Sequence, residues 1–310
     1  MNVRNKLILL ICVGLFSLFT ACVKDDDFGC TQGINVRFYS KTKCERDTVY
    51  PQQIKDITLC LFDKNGVLVS YNNSQNIEIQ RDYYQQVESG SGLYTAVAWS
   101  GLDRNHYDIT NLEVGSTRKD DLMFRLKRTA RQASSLEGNV IYFGESPVVY
   151  VPEANKIGSF FENTAINMQE ITNRMTVIVE GLTRVDDYIV EIESDNGSMN
   201  FDGTIAQDEI IDHSSAITVK DGILEGKFTL LKLTTGNSHM LVIKNKITGN
   251  EVYRGSLLGT LLLKNPDVNL DCDHDFVIRF TAQDQCNCGT YAIMKIWVNN
   301  WLVHSYDTEL

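Results

Sequence analysis

Several things are scarce in this 310-residue chain. Proline occurs four times and glycine 21 times, too thinly for a long Pro/Gly linker, so two domains would have to abut. Positive charge is in deficit, with 29 Lys and Arg against 40 Asp and Glu, and no basic run occurs. That disfavours a nucleic-acid partner, whose phosphates are held by clustered Lys and Arg. Apolar runs end at Phe19, so nothing downstream approaches the ~20 residues of a membrane-spanning helix. Catalytic signatures are missing as well. The five histidines (His106, His213, His239, His274, His304) are scattered without metal-ligand spacing. There is no His-Glu-x-x-His, Gly-x-Ser-x-Gly, Walker loop or Gly-x-Gly-x-x-Gly after a strand. Asp271, Asp273 and Asp275 alternate through "DCDHD" but lack the glycine and terminal glutamate of a calcium loop, and read as a turn before a strand. These absences predict a protein that is not an enzyme and that holds no metal or diffusible cofactor.

What is present begins at the amino terminus. Arg4 and Lys6 precede the apolar run Leu7–Phe19, and "FTAC" supplies small residues before Cys22. Thirteen apolar residues are short for a span, so residues 1–21 read as an export signal. The junction resembles a bacterial lipoprotein box, with Phe19 where leucine is more usual. It implies cleavage before Cys22, a diacylglycerol on its sulfur and usually an acyl group on the new amino terminus. Each buried methylene is worth ~0.8 kcal/mol, so two or three chains hold firmly. Lys24, Asp25, Asp26 and Asp27 follow, a net acidic run that anionic lipid does not attract. They resemble the surface-export signal of Bacteroidota lipoproteins, within an acidic tether spanning 22–30. With Cys12 removed and Cys22 lipidated, Cys30, Cys44, Cys60, Cys272, Cys286 and Cys288 remain, an even set prone to oxidation outside the cytosol. Their pairing is open: Cys30 with Cys44 makes a local pair, and Cys286 or Cys288 could reach Cys272. Cys60, inside an apolar strand, reads as a buried thiol. Asp47-Thr48-Val49 resembles the short O-glycosylation motif of Bacteroidota, with Thr48 as acceptor.

Beyond the tether, side-chain character alternates with period two. Strands are expected within 34–40, 54–71, 93–102, 121–128 and 139–151, then 170–182, 187–194, 226–233, 238–255, 274–283 and 292–305. Asn65-Gly66 suits a type I′ turn, and Gly249 and Asn299-Asn300 mark further hairpins. Only 256–265 carries helical leucine spacing. Two sets of short strands predict an all-β chain of two antiparallel sandwiches, 31–165 and 166–310. Trp99, Trp297 and Trp301 read as core, or, if exposed, as sugar-stacking residues.

Taken in order, the lipoprotein cysteine, "VRFYSKTKCERDTVYPQQIKDITLCLFDKNGVLV", "YTAVAWSGL", "ITNRMTVIVEGL" and "IRFTAQDQCNCGTYAIMKIWVNNWLVH" resemble the FimB-like minor fimbrial anchor subunits of Bacteroidota type V pili. The resemblance covers residues 30–308. It implies two tandem transthyretin-like β-sandwich domains, pilin subunits as partners, and lipid attachment at the surface of the cell outer membrane. It also implies a role in attaching the fimbrium (pilus) and ending its growth by strand addition. An accepting groove is expected beside Ile34–Tyr39, with the carboxyl-terminal hairpin as a native part of the second domain. A surface glycan-binding lipoprotein and a fimbrial tip or stalk subunit are the alternatives. A stalk precursor would carry a cleavable leader, but Arg37 and Arg46 lie in or beside the first strand.

Overall fold

The computed structural model describes residues 31–153, 159–213, 215–263, 267–285 and 290–306, and it is built almost wholly of strands. The first seven long strands make one sandwich: β1 (Gln32–Tyr39), β2 (Asp56–Asp63), β3 (Leu68–Gln75), β4 (Tyr84–Glu88), β5 (Gly92–Ser100), β6 (Tyr142–Glu145) and β7 (Phe160–Asn167). One sheet runs β7-β1-β4 and the other β6-β5-β2-β3. The period-two pattern of β1 turns Ile34, Val36 and Phe38 inward onto Ile57, Leu59, Leu61, Ala96 and Ala98, and all are buried.

The next seven repeat the plan strand for strand: β8 (Thr172–Glu180), β9 (Tyr188–Ser194), β10 (Ile211–His213), β11 (Ile223–Leu231), β12 (His239–Asn245), β13 (Glu251–Ser256) and β14 (Asp275–Asp284). One sheet contains β14-β8-β11 and the other β13-β12-β9-β10. Each strand therefore has its counterpart seven strands earlier. The second unit adds a carboxyl-terminal hairpin, β15 (Tyr291–Val298) and β16 (Trp301–Ser305), outside β14. Asn299 and Asn300, φ 44° and 72°, make its two-residue turn, the left-handed pair that a type I′ turn requires. The carboxyl-terminal strands thus pair within their own unit. The expected helix is α1 (Leu257–Leu262), capped by Ser256, whose side chain accepts from the Gly259 N–H at 3.0 Å.

The structure departs from the sequence expectations in three ways. Each sandwich contains one parallel pair, β1 with β7 and β8 with β14, where wholly antiparallel sheets were expected. Alternation marks a strand but not its direction, and a long connection permits either. At Asn65-Gly66 only Gly66 has positive φ (73°), so the turn is not type I′. The Asp63 carboxylate instead accepts from the Asn65 and Val67 N–H groups, holding a wider loop. Finally, the 165/166 boundary falls inside β7, which pairs with β1 along its whole length. Gln169–Glu170 still pairs with β6, so the chain leaves the first unit only after Glu170.

A third layer joins the units. The β5–β6 connection contributes Tyr107–Ile109 and Met123–Leu126, the β9–β10 connection contributes Ser198–Asn200 and Ile205–Ala206, and the four form one sheet. It covers the second face of β2 and β5, which explains why both faces of "TAVAWS" are buried. Trp99, 1% exposed, sits at its centre with ring centroids 4.5 Å from Phe124 and Phe143 and 5.9 Å from Phe201. Met199, Phe201, Ile211 and Leu231 of the second unit belong to this same core. Truncating so large a buried ring removes transfer energy and leaves a cavity. Trp99→Ala is therefore expected to destabilise the fold by about 3–5 kcal/mol while urea unfolding stays a single transition. Two separated transitions, with only the first shifted, would show that the layer does not couple the units.

Candidate functional site

The candidate site consists of the two chain ends and the bridge between them. At the amino end, pairing begins at the first described residue. The Thr31 carbonyl accepts from Phe160 N–H at 3.1 Å, and its hydroxyl lies 3.0 Å from Ser159 Oγ. β1 then registers with β7 from Gln32↔Phe160 to Tyr39↔Asn167 and with β4 from Gly33↔Glu88 to Arg37↔Tyr84. On the outer face Asn35 links the three strands, accepting from Gln86 at 3.3 Å and donating to Asn163 at 3.4 Å. Gly33 permits the approach of β4, since a Cβ there would lie 2.0 Å from the Val87 carbonyl oxygen. At the exit, Asn167 clamps the backbone of Lys41, accepting from its N–H at 2.8 Å and donating to its carbonyl at 2.9 Å. The groove expected beside Ile34–Tyr39 is therefore occupied: β1 is the centre of its sheet and both of its edges are paired. Arg37 lies mid-strand and Arg46 in the exposed loop beyond.

Within that loop Cys44 is disulfide-bonded to Cys272, 228 residues away. This corrects two expectations: Cys44 does not pair locally with Cys30, and Cys272 is not taken by Cys286 or Cys288, three cysteines that lie outside the described residues. Nothing in the spacing marks the pair, because the chain must fold before the two meet. The bond is seated on a turn in which Asn269 N–H donates to Asp273 at 2.7 Å and Asn269 O accepts from Cys272 N–H at 2.9 Å. Lys43 Nζ lies 3.2 Å from Asp271, with Lys232 at 3.7 Å, and these cations hold the Asp271 carboxyl below its ordinary range. Asp275 is held low by Arg174, whose guanidinium donates to both of its oxygens. "DCDHD" is thus an ion-paired turn at the domain junction. Beside it Cys44, Cys272, Tyr142 and Glu170 line an open cavity of about 470 Å³.

At the other end, β16 is the outermost strand of its sheet. Trp301 is 51% exposed, and Leu302 and Tyr306 are exposed beside it. Trp297 is half-buried and Trp99 fully buried, so the three tryptophans form no common sugar-stacking surface. Of the numbered strands β4, β7 and β10 went unanticipated in sequence, as did short strands of the shared layer, and β4 and β7 are the two that flank β1. "YQQVE" and "FFENTAIN" carry polar residues through their middles, and only faint alternation could have marked them. Cys22 and Lys24–Asp27 lie outside the described residues, whereas Thr48 is exposed in the loop after Cys44. Among the described residues no group of three or more His, Cys, Asp or Glu is placed to hold a metal ion.

The model of a family described as fimbrillin-A associated anchor proteins Mfa1 and Mfa2 matches residues 26–307. The minor fimbrium anchoring subunit Mfa2 of Porphyromonas gingivalis is 34% identical over 321 residues, which cover 100% of this chain and 98% of that one. The solved structure of the fimbrial anchor protein Mfa2 from that organism superposes with a TM-score of 0.80, covering 89% of this chain and 100% of that one. A putative polysaccharide-binding protein from Bacteroides thetaiotaomicron shares the fold at 22% identity and a TM-score of 0.72, covering 91% and 99%.

Reactive side chains elsewhere are sealed in the core. Burial pushes the Cys60 thiol up to about 12, far from the thiolate form. Ser194 Oγ lies 2.6 Å from His239 Nδ1, but both are buried within the β9–β12 pairing, so the contact is structural. Burial also lowers His239 and lowers His213 to about 3. A buried neutral histidine stays unprotonated in the fold while its unfolded counterpart takes up a proton below ~6.5. Stability therefore falls as pH drops from ~6.5 toward 3, by about 2 kcal/mol for His213 between pH 7 and 5. Urea titrations at the two pH values should show a smaller drop for His213→Gln than for the native protein; equal drops would contradict the assignment.

Proposed function

The chain belongs to the family of fimbrillin-A associated anchor proteins and is a fimbrial anchor subunit, and from that premise we propose how it anchors. Lipid on Cys22 fixes its amino end in the outer membrane. Lys24–Asp27 direct it to the cell surface, and Thr48 is the acceptor of an O-glycan. The fimbrium docks by strand addition along the free edge of β16, at the opposite end of the chain.

The observation that carries this reading is β1, paired along both edges directly after the tether. A sheet lacking a strand leaves a row of backbone N–H and C=O groups that an incoming strand satisfies. Here the protein's own first strand satisfies them. A fibre that grows by one subunit accepting a strand from the next stops at such a subunit, because its groove is already filled. The leader of a stalk precursor must come away, whereas this one is the middle of a sheet. β16 differs: it is an edge strand carrying exposed Trp301 and Leu302, which suits pairing with another chain.

Two variants test the two ends. Cys22→Ala should release the subunit and its fimbriae into the medium; membrane retention of both would overturn lipid anchoring. Leu302→Lys with Trp301→Ala, both exposed in the free subunit, should leave it folded and membrane-bound but bare, as read by electron microscopy and detergent co-purification. Unchanged fimbriation would remove β16 from the docking surface.

A further inference from the structure

We propose that the Cys44–Cys272 disulfide takes most of both sandwiches off the line of tension between the lipid anchor and the fimbrium. The proposal rests on the anchoring reading above, in which load enters at the amino end and leaves through the carboxyl-terminal hairpin. Without the bond, tension between those ends would run along the backbone through every strand in turn. Peeling β1 from β4 and β7 would open the first core, and the rest would follow. With the bond, tension runs from the tether through β1 to Cys44, crosses to Cys272, and continues through β14 into β15 and β16.

The bond's position in both units gives it this effect. Cys44 follows the first strand of the first unit, and Cys272 precedes the last of the seven repeated strands of the second. β1 is thus held covalently at both ends of its ladder, by the tether before it and by the bridge after it. Among the described residues, those enclosed carry the whole core around Trp99 and most of the other two. They are joined to the load path by hydrogen bonds and packing only, so they need not bear tension for the chain to transmit it. The exposed ion pairs around Asp271 add little by comparison. Since both cysteines line the open junction cavity, a small reductant can reach the bond with the protein folded.

Stretching the full mature chain between handles at its two termini reads this directly. The oxidised protein should extend only by the residues outside the bridge. Dithiothreitol, or the paired variant Cys44→Ser with Cys272→Ser, should add about 800 Å, the contour of the 228-residue span at ~3.5 Å per residue. Full lengthening of the oxidised protein would overturn the proposal. On cells, the paired variant should keep its fimbriae at rest and shed them under shear; retention equal to the native protein under shear would also overturn it. A failure of the anchoring reading looks different, since Cys22→Ala would then leave fimbriae attached with or without shear.

Discussion

The pairing of β1 along both of its edges holds the first sandwich closed. An edge strand leaves its sheet by breaking one ladder; β1 must break two. It must also withdraw Ile34, Val36 and Phe38 from a closed core, each worth about 1.5–3 kcal/mol. On the anchoring proposed above, the lipid tether runs directly into this strand, so the membrane attachment holds the chain by the middle of a sheet. On that reading the same arrangement fills the groove, ends the series of strand acceptors and gives the tether a firm attachment.

The rest of the fold keeps that arrangement intact. Two copies of one seven-strand plan would be free to move against each other if a short linker alone joined them. Here a sheet drawn from both units covers the outer face of β2 and β5, and Trp99 packs among rings from either side. β7 passes directly through Gln169–Glu170 into the second unit, and the Cys44–Cys272 bond cross-links the two units covalently. Among the described residues the second unit carries two additions without a counterpart in the first sheet: Ala216–Lys220, paired outside β11, and the β15–β16 hairpin. The hairpin covers the outer edge of β14, while the matching edge of β7 in the first unit remains uncovered among the described residues.

Much of this was legible in the residues. Period-two alternation located most of the long strands, and Asn299-Asn300 marked a true type I′ turn because asparagine tolerates the left-handed region. Polar edges were the blind spot. β4 and β7 bury few side chains, so their alternation is weak, yet they are the strands that make β1 central. Strand direction was equally hidden, because parallel and antiparallel neighbours bury the same residues. The disulfide joins positions that only the finished fold brings together. The filled groove could therefore be seen only once register was known, although the awkward placement of Arg37 for a removable leader hinted at it.

Amide hydrogen exchange across residues 32–39, measured on the subunit alone and then in complex with a fimbrial subunit, tests the central claim most directly. These amides are expected to be protected like those of a central strand, and the protection is expected to stay unchanged when the fimbrium docks. Loss of protection in the complex would mean that β1 gives way to an incoming strand and that the groove is not closed.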